Sequence, residues 1–92
     1  MESVPIDHFI AQRYTHPSVQ KIVESWRIEP KEIIDKLVDF FREMGIYEVH
    51  YGHERLIMDN MLRHLRFSPE ITQLVSRART DEIRRQRNRH AD

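Results

Sequence analysis

An all-α fold is the class that the 92-residue sequence predicts, from the spacing of its apolar residues and the placement of its prolines. Apolar residues recur at helical spacing along most of the chain, and each of the four prolines precedes an apolar stretch. Proline suits the first turn of a helix because the N–H group that it lacks has no partner there. We therefore predict one small domain over residues 1–92, built from four or five helices.

Two short helices are predicted first, over residues 6–13 and 17–26. Each carries apolar residues three or four positions apart, which is the spacing of one helix face. Either His16 or Ser18 could cap the second of them. The first is too short to be stable by itself, so it has to be held by packing against other elements.

The third predicted helix begins at Pro30, ends before Gly45 and carries the longest apolar stripe. That stripe consists of Ile33, Ile34, Leu37, Val38, Phe41 and Met44. Gly45 suits the left-handed conformation that commonly follows a helix end. Phe40 widens the stripe beyond what one neighbouring element needs, which indicates a second contact surface.

Residues 46–51 form the one segment whose structure stays open between a strand and an extended loop. Aromatic or aliphatic residues alternate there with ionisable ones, in the order Tyr47, Glu48, Val49, His50, Tyr51. Alternation of this kind is typical of a strand. Because no second strand is predicted within the chain, a strand at 46–51 would be used in dimer pairing.

Two further helices complete the predicted domain. The fourth covers residues 52–66, and Leu56 lies beside its main apolar stripe. Ser68 and Pro69 then provide the N-cap and the first turn of a fifth helix. The apolar stripe of this last helix fades, so residues 79–92 are predicted to be an arginine-rich, solvated helix end or a frayed tail.

Charge is unevenly distributed, although the formal net charge of the chain is zero. Residues 1–60 carry seven Lys/Arg and eleven Asp/Glu, a balance of −4, and residues 61–92 carry eight and four, a balance of +4. Six of the twelve arginines lie within residues 77–92. An acidic body with a basic end predicts an anionic partner or association between opposite ends of two molecules.

The function that the sequence favours is a non-catalytic protein-interaction or regulatory module that self-associates, as a homodimer or with another protein. Aromatic residues and methionines are numerous for so small a domain, and both are enriched at protein interfaces. A thin core also favours sharing apolar surface with a second copy. The predicted interface residues are Phe40, Tyr47, Val49, Tyr51 and Leu56.

The alternative function is a small DNA- or RNA-binding regulator that uses the arginine-rich end. Guanidinium groups match phosphate geometry in two-point contacts. The residues in question are Arg77, Arg79, Arg84, Arg85, Arg87 and Arg89. Asp81 and Glu82 could instead pair with neighbouring arginines along a helix, which would leave a charged end that serves solubility. The tail also has no aromatic residue to stack on bases.

No catalytic, metal or cofactor site is predicted. The chain has no cysteine, and Ser18 and Ser68 stand at helix starts, where capping accounts for them. His50 and His53 flank Gly52 without a convincing third ligand. There is no membrane-spanning apolar run and no signal-peptide pattern, so we expect a cytoplasmic protein without a membrane partner.

A family resemblance is carried by residues 39–46, 52–55, Ile57, Met58 and Met61. This pattern resembles the second half of a sterile alpha motif domain. The resemblance implies association with like domains or with other partners, and in some members binding to RNA. It covers about a third of the chain, and the segment before it is shorter than the first helices of that family. No residue role is carried over from it.

Overall fold

The described residues form five helices and a short two-stranded antiparallel sheet, which confirms the predicted all-α fold. The computed structural model describes the backbone of residues 2–90 and the side chains of residues 2–87. In chain order the elements are β1 (Ser3–Pro5), α1 (Ile6–Tyr14), α2 (Pro17–Val23), α3 (Pro30–Glu43), β2 (Glu48–His50), α4 (Glu54–Phe67) and α5 (Pro69–His90).

The centre of the core lies between α1 and α3. Ile6 and Ile10 of α1 are fully buried, as are Leu37 and Phe41 of α3. Each such side chain contributes roughly 1.5–3 kcal/mol relative to an exposed one. This packing stabilises the nine-residue α1, which would be marginal in isolation. Met61 of α4 is also fully buried and extends the same core.

α2 begins as predicted but ends earlier than predicted. The His16 Nδ1 atom accepts a hydrogen bond from the Ser18 N–H at 3.1 Å, so the predicted cap of α2 by His16 is confirmed. That helix ends at Val23, three residues before the predicted end at Trp26. The chain then turns through Arg27, whose φ of 54° lies in the left-handed region, where a helix cannot continue.

Gly45 ends α3 as predicted, with a φ of 81°. The Ile46 N–H donates to the Phe41 carbonyl at 2.9 Å, and the Gly45 N–H donates to the Arg42 carbonyl at 2.9 Å. This pair of hydrogen bonds is a Schellman motif, which satisfies two of the last carbonyls of the helix. The motif directs the chain out of α3 and into β2.

A strand does form within residues 46–51, but the expectation that it lacks a partner in its own chain is wrong. β2 pairs with β1 in antiparallel register, with Val4 opposite Val49 and Pro5 opposite Glu48. The N-terminal strand escaped prediction because it is only three residues long and contains proline. Pro5 is tolerated there because its missing N–H would point to the outer edge of the sheet.

Of the two C-terminal helices, α4 differs from the prediction at its start, whereas α5 begins at Pro69 as predicted and continues as a solvated helix end. α4 begins at Glu54 rather than Gly52, because Gly52 adopts a φ of 96° and its N–H donates to the Glu54 carboxylate at 2.9 Å. α5 is held against the body at its start, where Ile71 is buried. It then continues to His90, and residues 83–87 are exposed all around the helix.

Candidate functional site

A groove of about 470 Å³ runs along β2 and the start of α4. It is lined by residues 45–50 together with His53, Leu56 and Ile57, and we call it the β2 groove. The Gly45 turn and the pairing with β1 position one wall, and the first turns of α4 form the other. The groove therefore depends on both the Schellman motif and the sheet.

Three of the five predicted interface residues are exposed, and two of them line this groove. Tyr47 is 61 % exposed and Leu56 is 60 % exposed, and both line the groove. Tyr51 is 80 % exposed and directly follows His50, which also lines it. Large side chains left this exposed beside one groove form an apolar patch that is typical of a binding surface.

The other two predicted interface residues have a different role. Val49 is only 3 % exposed and its side chain belongs to the core, because strand alternation turns it towards the helices. Phe40 is half-buried and does not line the β2 groove. Its ring stacks on that of His64, with centroids 3.8 Å apart, and meets Phe41 edge-on at 5.1 Å. Phe40 thus joins α3 to α4.

His64 is held in an apolar setting by this stack. Its Nε2 atom is buried and has no hydrogen-bond partner among the described residues. Burial lowers the pKa of His64 below its ordinary value of 6.5, and the nearby Glu70 carboxylate opposes that shift to a smaller degree. The neutral imidazole is therefore the form that the folded chain favours.

A second depression, of about 630 Å³, separates α5 from the loop between α2 and α3. We call it the α5 cleft. Arg77 and Arg85 line it from the α5 side, and Arg27 lines it from the loop side. Arg27 forms an exposed ion pair with Glu82 across the cleft. Local sequence carried no signal for this contact, since the two residues are 55 positions apart.

Acidic side chains share the α5 cleft with these arginines. They are Glu29, Glu32, Asp81 and Glu82. A phosphate entering the cleft would therefore meet carboxylates as well as guanidinium groups, and the like charges would repel each other. The cleft combines both signs of charge and is not a basic channel.

The five described arginines of the nucleic-acid prediction do not all lie on one face of α5. Arg77 and Arg85 line the α5 cleft, and Arg79, Arg84 and Arg87 are exposed outside it. The side chain of Arg89 lies outside the described residues. At about 100° per residue, Arg84 lies on the same side of the helix as Arg77, whereas Arg79 lies on nearly the opposite side.

His50 and His53 both line the β2 groove. The rings of His50 and His53 meet at right angles, with centroids 6.2 Å apart. Within the part of the chain that the structure describes, no three His, Cys, Asp or Glu side chains are grouped so as to hold a metal ion. Among the same residues, no helix combines the length and apolar character needed to cross a bilayer.

Phe67 is an exposed residue that the sequence analysis did not single out. Its side chain is 76 % exposed at the C-terminal end of α4, far from the β2 groove along that helix. The sequence could have indicated this exposure, because Phe67 falls outside the buried stripe that contains Met61 and Leu65.

Comparison with known proteins gave no relative. No protein-family model matches the chain, and no match was found among curated proteins or solved structures. The resemblance to part of a sterile alpha motif domain is accordingly not supported by a family match.

Proposed function

We propose that this chain is a cytoplasmic, non-catalytic protein-interaction module that associates with a second copy of itself through the β2 groove. The observation that carries the proposal is the exposure of Tyr47, Tyr51 and Leu56 beside one groove. Tyrosine is enriched among the residues that dominate interface energetics. Covering most of a leucine side chain adds roughly 1–2 kcal/mol.

A second copy is the occupant that suits the size and charge of the chain. One self-complementary patch is enough for a two-fold dimer, because both subunits use the same surface. Residues 1–60 are acidic and residues 61–92 are basic, so the net charge of the chain is zero. Two copies therefore repel each other little when they associate. A 92-residue chain with a thin core also gains stability by covering apolar surface.

The test is solution mass by light scattering over a range of protein concentrations. We expect the mass of the unmodified chain to rise from 11.2 kDa towards twice that value. Tyr47→Ser and Leu56→Ser should each weaken association about 5- to 30-fold, as expected for central interface residues.

The matched control is Phe67→Ser, which removes an exposed aromatic side chain at the opposite end of α4. We expect this variant to associate like the unmodified chain. A monomer at every concentration would overturn the proposal. Loss of association in Phe67→Ser, with both groove variants unaffected, would move the interface to the far end of α4.

Nucleic-acid binding by α5 is the second candidate function. It is favoured by the exposure of five described arginines, which are Arg77, Arg79, Arg84, Arg85 and Arg87. Binding to phosphates would weaken steeply with salt and would fall in an Arg84→Ala/Arg85→Ala variant. An Arg42→Ala/Arg55→Ala variant, which loses the same charge on α3 and α4, is the control. No oligonucleotide binding at low salt would exclude this candidate.

A further inference from the structure

The register of the sheet decides which backbone groups of β2 are already used. The Ile6 N–H donates to the Tyr47 carbonyl at 2.9 Å, and the Tyr51 N–H donates to the Glu2 carbonyl at 3.3 Å. These two bonds lie at either end of the pairing between β1 and β2, in which Val49 is opposite Val4. The odd-numbered residues of the segment therefore direct their backbone groups towards β1.

The even-numbered residues then face the other edge of β2. In an antiparallel pair, successive residues direct their N–H and C=O groups to opposite sides, so those of Glu48 and His50 point away from β1. The outer edge of β1 is a poor template for another strand because Pro5 has no N–H to donate. The edge of β2, beside the β2 groove, is the one that can accept a further strand.

The side-chain classes of residues 47–51 follow the same order in both directions along the chain. These residues are Tyr47, Glu48, Val49, His50 and Tyr51. An aromatic residue stands at each end, an ionisable residue next to it, and an aliphatic residue in the middle. Two antiparallel copies centred on Val49 place each tyrosine opposite a tyrosine. The same register places the Glu48 carboxylate opposite the His50 imidazole, whose N–H can donate a hydrogen bond to it, twice per dimer.

We propose that two copies pair β2 with β2 about a two-fold axis at Val49, which makes a four-stranded sheet of order β1-β2-β2-β1. This inference rests on the proposed self-association and specifies its geometry. The Glu48 and His50 backbones of the two copies exchange four hydrogen bonds. The His50 carbonyl also accepts from the His53 N–H at 3.0 Å, and a carbonyl oxygen has two lone pairs for both bonds.

Side-chain pairing selects this register over its neighbours. A shift of one strand by two residues places Glu48 opposite Glu48 in one direction and His50 opposite His50 in the other, and either shift loses the pairs between Glu48 and His50. Like charges directly opposite each other destabilise an antiparallel pair. The register centred on Val49 avoids both arrangements and also covers Tyr47 with Tyr51, the two exposed aromatic residues of the segment.

The experiment mixes two variants, Glu48→Lys and His50→Glu. In the proposed register each variant alone loses both pairs between Glu48 and His50, and His50→Glu also opposes Glu to Glu twice, which should weaken its homodimer about 2- to 30-fold. The mixture forms one pair between Lys and Glu, which are oppositely charged, and keeps one pair between Glu48 and His50. We expect the heterodimer, measured by fluorescence transfer between labelled chains, to be on the order of tenfold tighter than either homodimer.

The matched control is a mixture of Asp35→Lys and Gln73→Glu, which carries the same changes of net charge at exposed positions on α3 and α5. We expect no preference for the heterodimer there. If the unmodified chain dimerises but the Glu48→Lys and His50→Glu mixture shows no preference beyond this control, the register is wrong and self-association stands. If the unmodified chain stays monomeric, both proposals are overturned.

A cross-link provides a second measurement that does not depend on charge. The chain has no cysteine, so Glu48→Cys and His50→Cys introduce the sole thiol of each variant. Directly opposed positions bring Cβ atoms to about 5 Å, within reach of a disulfide after small adjustment, whereas diagonal neighbours are about 7–8 Å apart. We expect oxidation of the mixture to yield mainly the mixed disulfide. Equal yields from each variant alone would overturn the register.

Discussion

Substitution of Gly45 by alanine tests how the β2 groove is positioned. Gly45 has a φ of 81°, and its N–H and that of Ile46 close the end of α3 by hydrogen bonds to Arg42 and Phe41. A Cβ atom added at Gly45 would meet no atom within 4 Å. The cost of Gly45→Ala is therefore conformational and involves no steric clash.

The expected loss of stability follows from two opposing effects. The left-handed conformation costs a non-glycine residue roughly 1–2 kcal/mol. Alanine also restricts the unfolded chain, which offsets about 0.4–1 kcal/mol of that cost. We therefore expect Gly45→Ala to lower the free energy of unfolding by about 1 kcal/mol. Gly45→Asn should cost less, because asparagine tolerates the left-handed region better than other residues.

The assay is urea unfolding followed by circular dichroism at a fixed protein concentration. With a slope of roughly 1 kcal/mol per molar urea for a chain of this size, the midpoint should fall by about 1 M in Gly45→Ala. Gln73→Ala, an exposed change within α5, is the control and should shift the free energy by less than about 0.5 kcal/mol. An unchanged or raised midpoint in Gly45→Ala would refute the assigned role of the left-handed turn.

Three further predictions concern the core, the buried histidine and the α5 contact. Phe41→Ala should lower the free energy of unfolding by about 3–5 kcal/mol in urea unfolding, since Phe41 is fully buried, and a loss below 1 kcal/mol would contradict its central place. The lowered pKa of His64 means that the unfolded chain binds more protons than the folded chain just below pH 6.5, so the free energy of unfolding should fall as the pH drops through that window. His64→Phe should make the free energy of unfolding depend less on pH there, and an unchanged dependence would refute this assignment. Glu82→Ala breaks only an exposed ion pair and should change stability by less than about 1 kcal/mol, whereas a larger loss would show that Arg27 anchors α5.

Helix placement was largely predictable, because its determinants are local. Apolar spacing and a first-turn proline act within a few residues, and they located α3 and its end at Gly45 correctly. The C-terminal end of α2 and the start of α4 were less predictable. Left-handed residues lie in the loop after α2, at Arg27, and just before α4, at Gly52, and a stripe of apolar residues does not reveal them.

The candidate site was predictable only in part. Leu56 was selected because it lies beside an apolar stripe, and Tyr47 and Tyr51 because their segment alternates like a strand that needs a partner; all three are exposed. Val49 and Phe40 were selected by the same logic, but each is covered by an element distant in the chain. A pattern along the chain identifies which residues are apolar and does not identify what covers them.

The sequence by itself determined where most of the helical residues lie, the His16 cap of α2, the glycine end of α3 and the alternation of residues 47–51. Only the tertiary structure decided that β2 pairs with β1, where Ser3 and Glu48 meet across 45 positions, and that Arg27 reaches Glu82 across 55. The physical reason is that helix signals come from hydrogen bonds and side chains a few residues apart. Strand pairing and the α5 cleft depend instead on packing of the whole chain, which brings together segments whose local sequence carries no sign of each other.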